Sequence, residues 1–108
     1  MFKVSGNKIT LTRGDTATLK LNVLDGSTPY DFSSDTVVFS MKRNLGDLQP
    51  VIQKTFDAEG QITFLPADTK ELAFGNYVYD IQLTTQAGEV DTIVVPSTFV
   101  IGPEVNSN

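Results

Sequence analysis

The 108-residue chain has no cysteine, no histidine and no tryptophan. Without cysteine there is no disulfide, thiol nucleophile or thiolate metal site, and without histidine the commonest general base and zinc ligand are missing. Most hydrolase designs are thereby excluded, and neither a Gly-x-Ser-x-Gly run nor a glycine-rich phosphate loop is present. Positive charge is also scarce: eight Lys and Arg stand against 13 Asp and Glu, for a net charge of -5 and a pI of about 4.4. Nucleic-acid affinity rests on cations that neutralise phosphates, and these eight are scattered along the chain, so no nucleic-acid partner is expected. No uncharged apolar stretch approaches ~18 residues, and no membrane span is expected. The opening "MFKVSGNKITLTRG" lacks the apolar segment of ~7 to 15 residues and the small-residue cleavage site of a secretory signal, which points to a chain made in the cytoplasm. The expectation is a protein that is not an enzyme, with no catalytic, cofactor-binding or metal residue to assign and no cofactor.

What is present is a well-patterned apolar fraction. Hydrophobic residues make up 40% of the chain and charged residues 19%, a balance that supports one folded domain with a single core. The domain is expected over residues 1–103, followed by a polar tail over 104–108. "ATLKLNVLD" alternates Ala17, Leu19, Leu21 and Val23 against Thr18, Lys20, Asn22 and Leu24, the two-residue period of a half-buried strand. "TVVFSMKR" repeats the device with Val37, Phe39 and Met41, and "NYVYDIQLTT" with Tyr77, Tyr79, Ile81 and Leu83; these three are expected to be central. "KITLT", "VIQKTF", "QITFL" and "VDTIVVPSTFVI" complete a set of seven, the last expected to split into two pieces near Pro96 because proline cannot donate to a ladder.

Between the strands lie "RGD", "DGSTPYDFSSD", "NLGDLQP", "DAEG" and "QAG", all turn chemistry, and "PADTKEL" is the sole helix candidate, a single turn that Asp68 or Thr69 could cap. The fold class is therefore all-β, an immunoglobulin-like β-sandwich of about seven antiparallel strands. Such sandwiches often carry a tyrosine near the start of strand F whose hydroxyl bonds to upstream backbone, with a cysteine two residues on. In "LPADTKELAFGNYVYD", Tyr77 stands at the tyrosine's place and Tyr79 at the cysteine's, Leu72 fills the sandwich end and Gly75 lets the chain bend, while Phe39 or Met41 takes the volume of the usual strand-C tryptophan. The alternative is that both tyrosines are ordinary inward aromatics.

Three features invite a binding role. "TRGDT" contains the Arg-Gly-Asp tripeptide of some integrin ligands, although Gly14 and Asp15 are also ordinary turn residues. Asp25, Asp31 and Asp35 border a long loop and could be imagined around calcium, but they lack an EF-hand pattern and read more plainly as solvated turn aspartates. Tyr30 is the only aromatic plainly in a loop, a poor platform for sugar.

The succession "ITLTRGDTATLKLNV", "DTVVFSMKR", "VIQKTF", "GQITFLPADTKELAFGNYVYDIQL" and "TFVI" resembles small immunoglobulin-like proteins of prophages and tailed phages of Gram-positive bacteria, including the N-terminal modules of upper baseplate proteins. The resemblance runs from Ile9 to about Glu104 and is most distinctive in "TRGDT", "LPADTKELAFGNYVYDIQL" and "TFVIGPEV". It implies a virion structural part, associated with the tail or baseplate, whose partners are other tail proteins and which could form a homo-oligomer. No functional residue carries over, because the shared pattern is turns and core. A bacterial surface adhesin module and a carbohydrate-binding accessory domain are the rival readings. If the protein works by assembly, its functional surface is a sheet edge or face; "MFKVSG", with Phe2 and Val4 beside Lys3 and Lys8, and "STFVIG", with Phe99 and Ile101, are the segments expected to bond along an edge.

Overall fold

Strand alternation translates directly into layers. Over β5 (Thr36–Lys42), Val37, Phe39 and Met41 are buried while Val38, Ser40 and Lys42 are half-buried on the other face. Over β8 (Gly75–Thr84), Tyr77, Tyr79, Ile81 and Leu83 are buried. These antiparallel partners, in register from Thr36 opposite Thr84 to Lys42 opposite Val78, form the middle of a five-stranded sheet. The computed structural model describes residues 8–21, 24–25, 28–29, 31 and 34–103.

The remaining strands of that sheet are β1 (Ile9–Thr12), β6 (Ile52–Thr55) and β9 (Val90–Gly102), in the order β1-β9-β8-β5-β6. A second sheet pairs β2 (Ala17–Lys20) with β7 (Gln61–Phe64), and a two-residue ladder joins β3 (Leu24–Asp25) to β4 (Thr28–Pro29). One helical turn, α1 (Pro66–Thr69), lies between β7 and β8. Between the sheets four rings meet: Phe39 stacks on Tyr79 at 5.3 Å between centroids, and Phe64 and Phe99 meet it edge-on at 5.4 and 6.0 Å. Such pairs add about 0.5 to 1.5 kcal/mol each beyond their area burial. Phe39 and Met41 are both fully buried, with Phe39 at the centre of the ring cluster. The chain is an all-β, immunoglobulin-like β-sandwich.

Four expectations need correction. First, β2 is not central: it belongs to the two-stranded sheet, and Ala17 and Leu19 are only half-buried. Alternation reports that one face is covered; it does not report how many strands flank the ladder. Second, β9 is one strand rather than two pieces. Tyr79 pairs with Ser97 and Ile81 with Val94, so residues 95 and 96 together oppose Asp80. That bulge accommodates the donor that Pro96 lacks. A second shift, from Ile81 opposite Val94 to Gln82 opposite Thr92, turns both Ile93 and Val94 into the core. Third, the sheet is not wholly antiparallel: β1 runs parallel to β9, with Ile9 opposite Phe99 and Thr12 opposite Gly102. These first and last strands share no hairpin, so no tight turn forces opposite directions. Fourth, the run "ATLKLNVLD" is not one strand: β2 covers Ala17–Lys20 and pairs with β7, while Leu24–Asp25 at its end form β3 and pair with Thr28–Pro29.

Candidate functional site

The end of the sandwich that carries the turn after β1, the β5–β6 loop and the segment between β7 and β8 is held by side-chain-to-backbone bonds. Tyr77 Oη donates to the Ala73 carbonyl at 2.7 Å with its ring buried, which is the corner expected from the sequence. Gly75 has φ +125°, a conformation that side chains other than glycine rarely adopt, so the bend requires glycine; a Cβ there would also lie 3.1 Å from the Arg43 guanidinium. Leu72 is half-buried against the core. Helix α1 is capped from within: the Leu65 N–H donates to Asp68 Oδ2 at 2.7 Å, and Lys54 Nζ pairs with that same oxygen at 2.9 Å. Burial pushes the Asp68 carboxyl up, but the Leu65 N–H and the Lys54 charge outweigh it and hold its pKa below the ordinary 3.8. Thr69, expected as a cap, is instead fully buried and accepts the Gly14 N–H at 2.8 Å.

The Arg-Gly-Asp turn is thus part of this clasp. Arg13 lies over the Phe74 ring at 4.1 Å and donates to the Leu72 carbonyl at 3.4 Å, while its own N–H donates to the Gly102 carbonyl at 3.0 Å. Gly14 takes φ +85°, and the Asp15 N–H closes the turn on the Thr12 carbonyl at 3.1 Å. Arg43 lies over the Tyr77 ring at 4.6 Å. Both arginines of the chain, Arg13 and Arg43, therefore stack on aromatic rings around one corner. The sequence reading saw scattered cations; only the folded arrangement brings these two together. The three most distinctive pieces of the chain, "TRGDT", the α1–β8 segment and the end of β9, meet here as structure. None of them leaves a reactive group poised for chemistry.

Asp31 is exposed and Asp35 half-buried, Asp25 has no described side chain, and Tyr30 lies outside the described residues. Among the described residues no three His, Cys, Asp or Glu side chains form a metal-binding group, and no helix is long and apolar enough to cross a membrane. The depressions are shallow; one of about 60 Å³ lies on the outer face of the large sheet between Lys42, Leu45, Val78, Asp80 and Pro96. Burial on that face raises the Asp80 pKa above 3.8, with Lys42 opposing the shift.

The edges differ from expectation as well. Phe99 and Ile101 are buried, and their segment is flanked by β1 on one side and β8 on the other, so "STFVIG" is not an edge. "MFKVSG" lies outside the described residues. Among the described residues β8 is the sole strand partner of β9 over its first part, from Val90 to Pro96. Among the described residues the exposed large hydrophobics are Leu45, Leu48 and Val51 in the β5–β6 loop, Leu65 and Phe74 beside α1, and Val90 at the start of β9. Neither these residues nor this first part of β9 stood out in the sequence, because nothing local distinguishes an outward apolar residue from an inward one.

No protein-family model matches the chain, and no curated protein does. Among solved structures, the chain is similar to CopC from Methylosinus trichosporium OB3b, at 16% identity over 95% of this chain and 91% of that one, with a TM-score of 0.50. At that identity the likeness is one of fold.

Proposed function

We propose that this protein is a non-catalytic structural part of a phage virion, associated with the tail or baseplate, that works by protein–protein assembly. The observation that carries the reading is the first part of β9. From Val90 to Pro96 one side of the strand has no strand neighbour among the described residues, and a strand edge presents N–H and C=O groups that another chain can complete. Pro96 and the bulge at residues 95 and 96 interrupt this edge, which disfavours indiscriminate stacking of copies and favours a shaped partner. The likeness of the β1–β2 turn, the corner and the β9 end to phage immunoglobulin-like proteins gives the assembly its setting. Immunogold electron microscopy of particles from an induced lysogen, with antibody against this protein, tests the reading. Gold on the tail is the expected result; undecorated particles with label on the cell wall would overturn it in favour of a surface module.

A further inference from the structure

The outer face of the five-stranded sheet is unusually poor in charge. Its positions follow from the registers: Val38, Ser40 and Lys42 on β5, then Val78, Asp80 and Gln82 on β8. On β9, Thr98 lies opposite Val78 and Val100 opposite Asn76, and Gln53 of β6 lies opposite Ser40. Across the outward strand positions Lys42 and Asp80 are the only charged residues among the described ones, so the described face sums to zero on a chain of net charge -5. Depletion of charge marks the centre of protein interfaces more reliably than bulk hydrophobicity does.

We propose that this face binds a second copy of the chain through a two-fold axis; the proposal rests on the assembly reading above and names the surface and partner. Charge complementarity selects the occupant. Ser40 opposes Asp80 and Lys42 opposes Val78, which makes the Lys42 cation and the Asp80 anion diagonal neighbours. A two-fold axis lying in the plane of the interface, between them and perpendicular to the line that joins them, turns the two outer faces toward each other and sets Lys42 against Asp80 of the partner subunit, and the reverse contact follows by symmetry. Two acidic copies meet least repulsion where their own field is neutral and self-complementary. The dimple between Lys42, Asp80, Val78 and Pro96, with exposed Leu45 on its rim, gives the contact relief in which an opposing side chain seats. Four strands about 4.8 Å apart and about seven residues long give roughly 450 Å² of plan area per copy. That is below the size of interfaces that are stable in solution and in the range of transient ones, so the dimer is weak and dependent on concentration.

Sedimentation equilibrium over a range of concentrations tests this on the wild type, on Lys42→Asp and Asp80→Lys, and on the double exchange, with circular dichroism melts to verify folding. The wild type should approach twice the monomer mass as concentration rises. Lys42→Asp and Asp80→Lys place like charges across the axis, so each should be monomeric alone, an equimolar mixture of the two should dimerise, and the double exchange should recover the wild-type mass. A wild type that stays monomeric to its solubility limit, or a dimer that both single variants retain, overturns the proposal. A monomer that still decorates phage tails would place a tail protein on this face while the assembly reading stands; a dimer obeying the charge exchange on undecorated particles would do the reverse.

Discussion

Consecutive residues of β8 meet different surroundings. Tyr77, Tyr79, Ile81 and Leu83 are at most 4% exposed, while Val78 and Asp80 between them are half-buried and Gln82 is exposed on the opposite face. The inner face is held by mutual packing, the four-ring cluster above all, and the corner below it by bonds from Tyr77, Thr69 and two arginines. The outer face has cross-strand contacts such as Gln53 Nε2 to Ser40 Oγ at 3.1 Å and little that the core depends on. The proposed dimer would assign folding and association to opposite sides of the same strands, since a surface freed from folding can be shaped for a partner.

The contrast breaks most sharply at Phe39. Phe39→Ala removes the ring that touches three others, and urea unfolding should show a loss of about 3 to 5 kcal/mol, the range for an aromatic truncated in a packed core. Next come the corner bonds. Tyr77→Phe leaves the Ala73 carbonyl without its hydroxyl donor, and Thr69→Val leaves the Gly14 N–H without its acceptor, each costing about 1 to 3 kcal/mol in equilibrium denaturation. A difference below about 0.3 kcal/mol for Tyr77→Phe would mean that the hydroxyl bond does not hold the corner.

Acid titration separates the two regions through the sign of their carboxylates. Asp68, in the clasp, has its folded pKa below 3.8, so its contribution is complete above that value and is lost as pH falls through the lower folded one. Asp68→Asn should therefore remove an acid-side fall in the urea midpoint, worth under about 1 kcal/mol for a partly exposed pair. Asp80, on the outer face, is raised above 3.8; its contribution is complete below that value and is lost as pH rises through the higher folded one. Asp80→Asn should flatten that opposite trend. The smallest effect is expected at Gln82, where Gln82→Lys should change unfolding by less than about 0.5 kcal/mol, as exposed substitutions usually do.

Much of this division was legible in the sequence. The period-two pattern of "TVVFSMKR" and "NYVYDIQLTT" identified the buried side of β5 and β8, and "FGNYVYD" located the corner, because local alternation and a glycine before tyrosine are properties of adjacent residues. Sheet membership was not legible: "ATLKLNVLD" alternates as cleanly as β8, yet β2 has a single strand partner, since nothing within a strand records how many neighbours it has. The continuity of β9 past Pro96 was hidden for a related reason, since a bulge is defined against its partner, here Asp80. The neutrality of the outer face was equally hidden, because Lys42 and Asp80 lie far apart in the chain and become neighbours only through the β5–β8 register.

The separation of folding from association is tested most directly at Thr98, which faces outward beside fully buried Phe99. Thr98→Arg sets a bulky charge on the neutral face opposite Val78. The account predicts that this variant unfolds within about 0.5 kcal/mol of the wild type in urea and sediments as a monomer at concentrations where the wild type is a dimer. A stability loss approaching that of Phe39→Ala, or an unchanged dimer, would contradict it.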